Sequence, residues 1–296
     1  MLDMQSADRI LTRTVSFPSG GKVLNGKLYA PQTGPVAALV INGATGVPHG
    51  YYRRFAEWVA RGRNIACLTY DYSDFGESAQ RHVRRSDAKI SDWALIDQPA
   101  ARAEMRRQLP DVPIWVLGHS LGGMMMPLQD GIEDVRRMIC VASGLVHVAD
   151  HPWPYQALAR LFWFGHVPRV VRALGYLPGR VLGLGSDLPA QVYWEWRDWC
   201  TTRTSFYKEM GGVYPKPDWG RSGAPVDVFS FSDDDLMPFV SAKKLAGLYG
   251  VKRVQHHHVR PEDHGSRKIG HVSVFKRENS AIWPRLIDQG PICQVL

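Results

Sequence analysis

Short apolar runs with little alternation recur along the chain, separated by amphipathic stretches. Val36–Ile41, Ile65–Tyr70, Ile114–Leu117, Val135–Ala142 and Val226–Phe231 have the form of strands buried on both faces. Val15–Phe17 and Val23–Tyr29, parted by the turn Pro18-Ser19-Gly20-Gly21, predict a hairpin. Between the runs, Tyr51–Arg61 sets Tyr52, Phe55, Trp58 and Val59 on one helical stripe and is expected to close at Gly62. Further helices are predicted over Trp93–Leu109, after Ser120, over Pro238–Tyr249 and near Ser280–Ile287, with a last strand over Val251–Val259. Strands that alternate with helices imply a mostly parallel sheet flanked by helices on both faces, an α/β fold. From about Leu145 to Gly223 the buried-strand pattern stops, and Pro, Gly and most of the tryptophans take its place. The expected organisation is one core, residues 1–144 and 224–296, carrying a mostly helical cap or lid inserted at 145–223.

Composition narrows the class. The chain has 296 residues, 45% of them hydrophobic and 22% charged, which is enough for a sizeable core and argues against disorder. The net charge of +8 favours acidic surfaces. The basic residues come as scattered pairs such as Arg53-Arg54, Arg84-Arg85, Arg106-Arg107 and Arg136-Arg137. That distribution is not a nucleic-acid stripe, so no nucleic-acid partner is expected. Cys67, Cys140, Cys200 and Cys293 form no Cys-x-x-Cys pair, and the start of the sequence has charges where a secretory signal has an apolar core. No apolar run reaches the length of an integral membrane segment. These features predict a cytoplasmic protein, and they leave the oligomeric state open.

The densest chemistry follows the run at Ile114. Gly118-His119-Ser120-Leu121-Gly122 sits between a predicted strand and a predicted helix. A glycine at either end of such a turn lets the chain close on itself, and the serine is pushed out at the tip of the sheet. A serine hydroxyl needs a neighbouring base before it becomes a nucleophile, and imidazole titrates in the useful range. His119 is next in sequence to Ser120, so its side chain should turn away and serve packing or the neighbouring loop.

Taken with Asn42-Gly43-Ala44-Thr45-Gly46 after an early strand, the turn Asp71-Tyr-Ser-Asp-Phe-Gly-Glu-Ser78, the aspartates Asp233-Asp234-Asp235 after a later strand and Ile269-Gly270-His271 near the end, the chain resembles the α/β-hydrolase family. Within it, the order is most similar to capped serine hydrolases of the serine-aminopeptidase and monoacylglycerol-lipase type. Asp74 stands where the family's turn has its first glycine. The resemblance implies Ser120 as nucleophile, His271 in preference to His264 as the base, and Asp234 in preference to Asp233 as the acid that orients it. Asp150 is a minor alternative for the acid. The resemblance also implies an oxyanion hole from the backbone N–H groups of Ala44 and Leu121, to which Thr45 could add a hydroxyl. The implied reaction is cleavage of a carboxylic ester or related acyl compound through an acyl-enzyme, with no metal and no organic cofactor. Acyl transfer, amide cleavage or C–C hydrolysis by the same groups, and a non-catalytic binding protein of the same fold, stand as alternatives.

Other features have plainer readings. His256-His257-His258 would alternate faces on a strand, which leaves too few ligands on one side for a metal. Met124-Met125-Met126 is expected to pack the helix after the serine turn against the sheet, with the floor of the pocket as a second role. In the cap, Val192, Trp196 and Trp199 share one stripe, as do Leu158, Leu161 and Phe162. Burial against the core is the first reading of these stripes, an apolar or aromatic acyl site the second, and a lid toward lipid the third. The partner expected is a small acyl substrate with an apolar or aromatic part.

Overall fold

In the computed structural model, residues 10–217, 222–249 and 254–288 are described. Eight strands form one sheet in the order β1-β2-β4-β3-β5-β6-β9-β10. β1 (Ile10–Ser19) and β2 (Lys22–Pro31) make the hairpin, and β2 pairs antiparallel with β4 (Ile65–Tyr70). β3 (Ala37–Asn42), β4, β5 (Ile114–His119), β6 (Val135–Val141), β9 (Val226–Phe231) and β10 (Val254–Val259) run parallel. Every residue of β3, β4, β5 and β9 is buried, as unalternating apolar runs require. Two apolar clusters cover the two faces of the sheet. One holds Phe55 of α1 (Arg53–Arg63) together with Phe275 and Trp283; the other holds Trp93, Met105 and the residues beneath Ser120.

Several elements differ from their sequence-based expectation. α1 runs through Gly62 and ends at Asn64, which takes a left-handed φ of 54°. Its side-chain amide donates to the Gly34 carbonyl, a local bond that suits asparagine to this turn. The helix expected at Trp93–Leu109 begins earlier, as α2 (Ile90–Asp92), widens into a π turn over Trp93–Asp97 and continues as α3 (Gln98–Gln108). Side chains fix the widened turn: the Trp93 indole N–H donates to the Ser73 carbonyl, and the Asp97 carboxylate accepts from the Ser19 hydroxyl and the Ser73 N–H. No α-helix follows Ser120; the chain makes short 3₁₀ turns at Ser120–Gly123, Met126–Leu128 and Ile132–Asp134 before β6. Two adjacent glycines, Pro127 and Gly131 interrupt any longer i to i−4 ladder there. The expected strand at Val251–Val259 is seen from Val254, its first three residues lying outside the described ones. Near the C-terminal end a 3₁₀ stretch (Arg277–Ile282) precedes α8 (Trp283–Ile287).

Between β6 and β9 the described residues add no strand to the main sheet. They form α4 (Tyr155–Phe164), α5 (Val167–Leu174), the small pair β7 (Tyr176–Leu177) and β8 (Leu188–Pro189), and α6 (Ala190–Thr201). After β9 comes α7 (Phe239–Leu248). Cys67, Cys140 and Cys200 are buried free thiols, and Cys293 lies outside the described residues. Among the described residues no helix is long and apolar enough to cross a membrane.

Candidate active site

Ser120 leaves β5 with φ of 54°, a backbone conformation that a serine holds only where its surroundings compel it. The close approach that compels it is visible at the flanking glycines. A Cβ on Gly118 would lie 2.3 Å from the Gly122 carbonyl, and one on Gly122 would lie 2.2 Å from the carbonyl oxygen of Asn42. The serine hydroxyl is thereby held near the base predicted for it. His271 Nε2 lies 3.0 Å from Ser120 Oγ, and His271 Nδ1 lies 2.9 Å from Asp234 Oδ2.

The partners set the proton positions. A carboxylate only accepts, so Nδ1 of a neutral His271 carries the hydrogen and Nε2 offers its lone pair to the serine hydroxyl. Asp234 is buried, and its second oxygen accepts from the N–H groups of Leu236 and Met237 at 3.0 and 2.8 Å. Asp233 does a different job: it accepts from the N–H groups of Ile269 and Gly270 and so ties down the loop that carries His271. Asp150 accepts from the His147 N–H and pairs with Lys244. His264 lies 3.4 Å from Arg285 through its Nε2, and among the described residues it makes no contact with Ser120.

Behind the serine runs a buried chain of bonds that the sequence did not announce. His119 Nε2 lies 2.8 Å from the His271 carbonyl, which can only accept, so that nitrogen bears the proton. Nδ1 is then the acceptor, and the Tyr52 hydroxyl, 2.7 Å away, donates to it. The Tyr52 oxygen in turn accepts from the Ala44 N–H at 2.9 Å. One tyrosine and one histidine thus join the loop after β3 to the loop of His271. Burial, and secondarily the nearby His271, pushes the pKa of His119 down to about 3.

That value has a testable consequence. His119 stays neutral in the folded chain but is protonated in the unfolded chain below pH about 6.5, so folding loses about 1.4 kcal/mol per pH unit as acid is added below that point. His119→Gln can keep both hydrogen bonds without titrating. In urea titrations the wild type is expected to lose about 2 kcal/mol more than the variant between pH 7 and pH 5. Equal losses would remove His119 from the account.

The structure departs from one expectation here. The Ala44 N–H is held by Tyr52, and Ala44 is buried away from the open site, whereas the next residue, Thr45, lines it. Leu121 also lines it, within a turn whose first N–H groups have no partner inside the turn. The loop is braced from below: Asn42 accepts from Tyr70 and donates to Gln98, and Tyr72 donates to the Gly43 carbonyl. Asp74 takes φ of 57°, the left-handed region that favours glycine, and its carboxylate is met by Lys22 and Ser86.

Ser120 opens into a cavity of about 330 Å³. Its wall combines Leu121, Met124 and Met237 from beneath with Leu158, Trp163 and Trp199 from the inserted segment. Among the described residues no Lys, Arg, Asp or Glu lines it. His151 and Tyr155 are among its few polar groups; the His151 ring donates through Nδ1 to the Asp235 carbonyl, and burial lowers its pKa. The three strand histidines alternate as expected, His256 and His258 sharing the Ser230 hydroxyl while His257 faces Asp227.

The sequence profile described as the alpha/beta hydrolase family matches residues 38–272. The chain belongs to the α/β-hydrolase family. No curated protein matches it significantly. Among solved structures it is similar to a soluble variant of monoglyceride lipase from Saccharomyces cerevisiae (TM-score 0.67, 10% identity, 94% of each chain covered). It is also similar to 2-hydroxy-6-oxo-6-phenylhexa-2,4-dienoate hydrolase from Rhodococcus sp. strain RHA1 (TM-score 0.60, 15% identity, covering 95% of this chain and 99% of that one). A third is a bacterial membrane phospholipase A (TM-score 0.56, 18% identity, covering 96% and 87%). At these identities the likeness concerns the fold of this α/β hydrolase.

Proposed function

We propose that the protein is a serine hydrolase that cleaves an uncharged carboxylic ester with an apolar acyl or aryl part. The observation that carries this reading is the run Asp234–His271–Ser120, with contacts of 2.9 and 3.0 Å, ending at the wall of an apolar cavity. As Ser120 Oγ attacks the carbonyl carbon, its proton passes to His271 Nε2, and Asp234 steadies the imidazolium that forms. The carbonyl π electrons move onto oxygen. Leu121, through its N–H, and Thr45, both on the cavity wall, are the groups offered to that charge. When the intermediate collapses, His271 returns the proton to the leaving alcohol. Water then attacks the acyl-enzyme by the same route. The chemistry calls for no metal and no organic cofactor.

The inserted segment supplies the apolar upper wall and acts as a cap over Ser120. An uncharged cavity of about 330 Å³ suits a single acyl chain or ring, and among the described residues it offers a carboxylate-bearing substrate such as a dienoate no lysine or arginine. The test is covalent. A fluorophosphonate should add to the folded protein at one site, mapped by peptide mass spectrometry to Ser120, and should abolish hydrolysis of p-nitrophenyl esters in proportion to labelling. Labelling elsewhere, or hydrolysis that survives full labelling, would overturn the reading.

A further inference from the structure

The outward face of α4 is apolar where water should favour polar groups. Leu158, Leu161 and Phe164 are 62%, 60% and 56% exposed, and Trp153, just before the helix, is 79% exposed. Their three-residue spacing keeps the helix residues on one side while Ala159 and Trp163 are buried on the other. Leu182, from the loop between β7 and β8, is also exposed. Leu158 and Leu182 both line the cavity as well, so the exposed apolar face and the space above Ser120 share these two side chains. A contiguous exposed apolar patch of this kind marks a surface that is covered in use.

Charge identifies the cover. From Trp153 to Leu182 the sequence has four arginines, Arg160, Arg169, Arg172 and Arg180, and no aspartate or glutamate. All four are exposed; Arg180 lies 4.0 Å from Asp187, and Arg172 lies over the Trp194 ring. Exposed apolar side chains in a segment whose acidic and basic residues, histidine aside, are all arginines match a surface that is anionic outside and apolar within. A second copy of the chain fits poorly, because a symmetric pairing would set the same arginines against one another. We propose that this face docks on an anionic phospholipid bilayer, with the outer side chains of α4 entering the headgroup boundary and the cavity mouth turned toward the lipid. Docking is independent of Ser120, whereas delivery of a bilayer-dissolved ester to Ser120 rests on the function proposed above.

The test uses the full chain and sedimentation with vesicles. Vesicles of phosphatidylcholine with about one quarter phosphatidylglycerol should bind the protein about tenfold better at low salt than phosphatidylcholine alone, and high salt should reverse the gain. Leu161 does not line the cavity. Leu161→Asp, and separately the double variant Arg160→Glu/Arg169→Glu, should each lose about tenfold in vesicle binding. Both should keep the wild-type melting temperature and the wild-type rate on a water-soluble short-chain ester. Ser120→Ala should bind vesicles as the wild type does. A wild type that ignores anionic vesicles, or a folded Leu161→Asp that binds them undiminished, overturns the docking. So does a dimer dissolved by Leu161→Asp, which would make a second copy the cover. Binding without any esterase activity would instead overturn the Ser120 reading and leave the docking intact.

Discussion

Ser120→Ala is expected to lower kcat on a p-nitrophenyl ester by roughly 10⁴- to 10⁶-fold while KM changes little. The size follows from what the variant keeps and what it loses. The apolar wall that binds the acyl part is untouched, so ground-state binding survives. The oxygen that would bond to carbon is gone, and His271 Nε2, 3.0 Å from it, has no proton to take. His271→Ala removes the other half of the same step, so the double variant should be no slower than the worse of the two singles. Steady-state kinetics of the three variants, with a thermal melt of each, reads the result. A Ser120→Ala enzyme within about tenfold of the wild type would mean that another group forms the covalent bond or that none does.

The sheet and the serine turn were legible because both are written in local composition. A strand buried on two faces must be apolar throughout, and β3, β4 and β5 are. The turn at Ser120 needs chain within 2.3 Å of where a Cβ would sit, and only glycine leaves that room. What escaped the sequence is set by partners far along the chain. Tyr52 reads as one more apolar residue on the α1 stripe, yet its hydroxyl bridges Ala44 and His119. The π turn at Trp93–Asp97 is fixed by Ser19 and Ser73, which no period within the helix reveals. The stripe of Leu158 and Leu161 was visible, but a period states that a face exists and not what covers it. In the structure Trp163 and Ala159 take the core side, and the two leucines face outward. Composition likewise separated no single aspartate from Asp233-Asp234-Asp235; the resemblance preferred Asp234, and it is Asp234 that lies 2.9 Å from His271 Nδ1.

That separation supplies the second large effect. Asp234→Asn is expected to lower kcat about 10⁴-fold with KM nearly unchanged. An amide can present its N–H group to His271 Nδ1, which turns the ring to the tautomer with hydrogen on Nε2 and leaves no lone pair for Ser120. It also removes the charge that steadies the imidazolium. Because a general base in water can replace part of the lost function, the rate of the variant should rise with pH well beyond the range in which the wild type levels off. Asp233→Asn behaves differently under the structure. Its carboxylate accepts from Ile269 and Gly270, and an amide can serve those donors with only one of its two ends. The expected result is a loss of about 1–3 kcal/mol in stability and a fall in kcat of about tenfold, with the wild-type pH profile kept. Measuring kcat against pH and urea stability for both variants distinguishes the carboxylate that orients the imidazole from the one that holds its loop. If the two exchange behaviours, with Asp233→Asn carrying the 10⁴-fold loss, the acid has been assigned to the wrong aspartate.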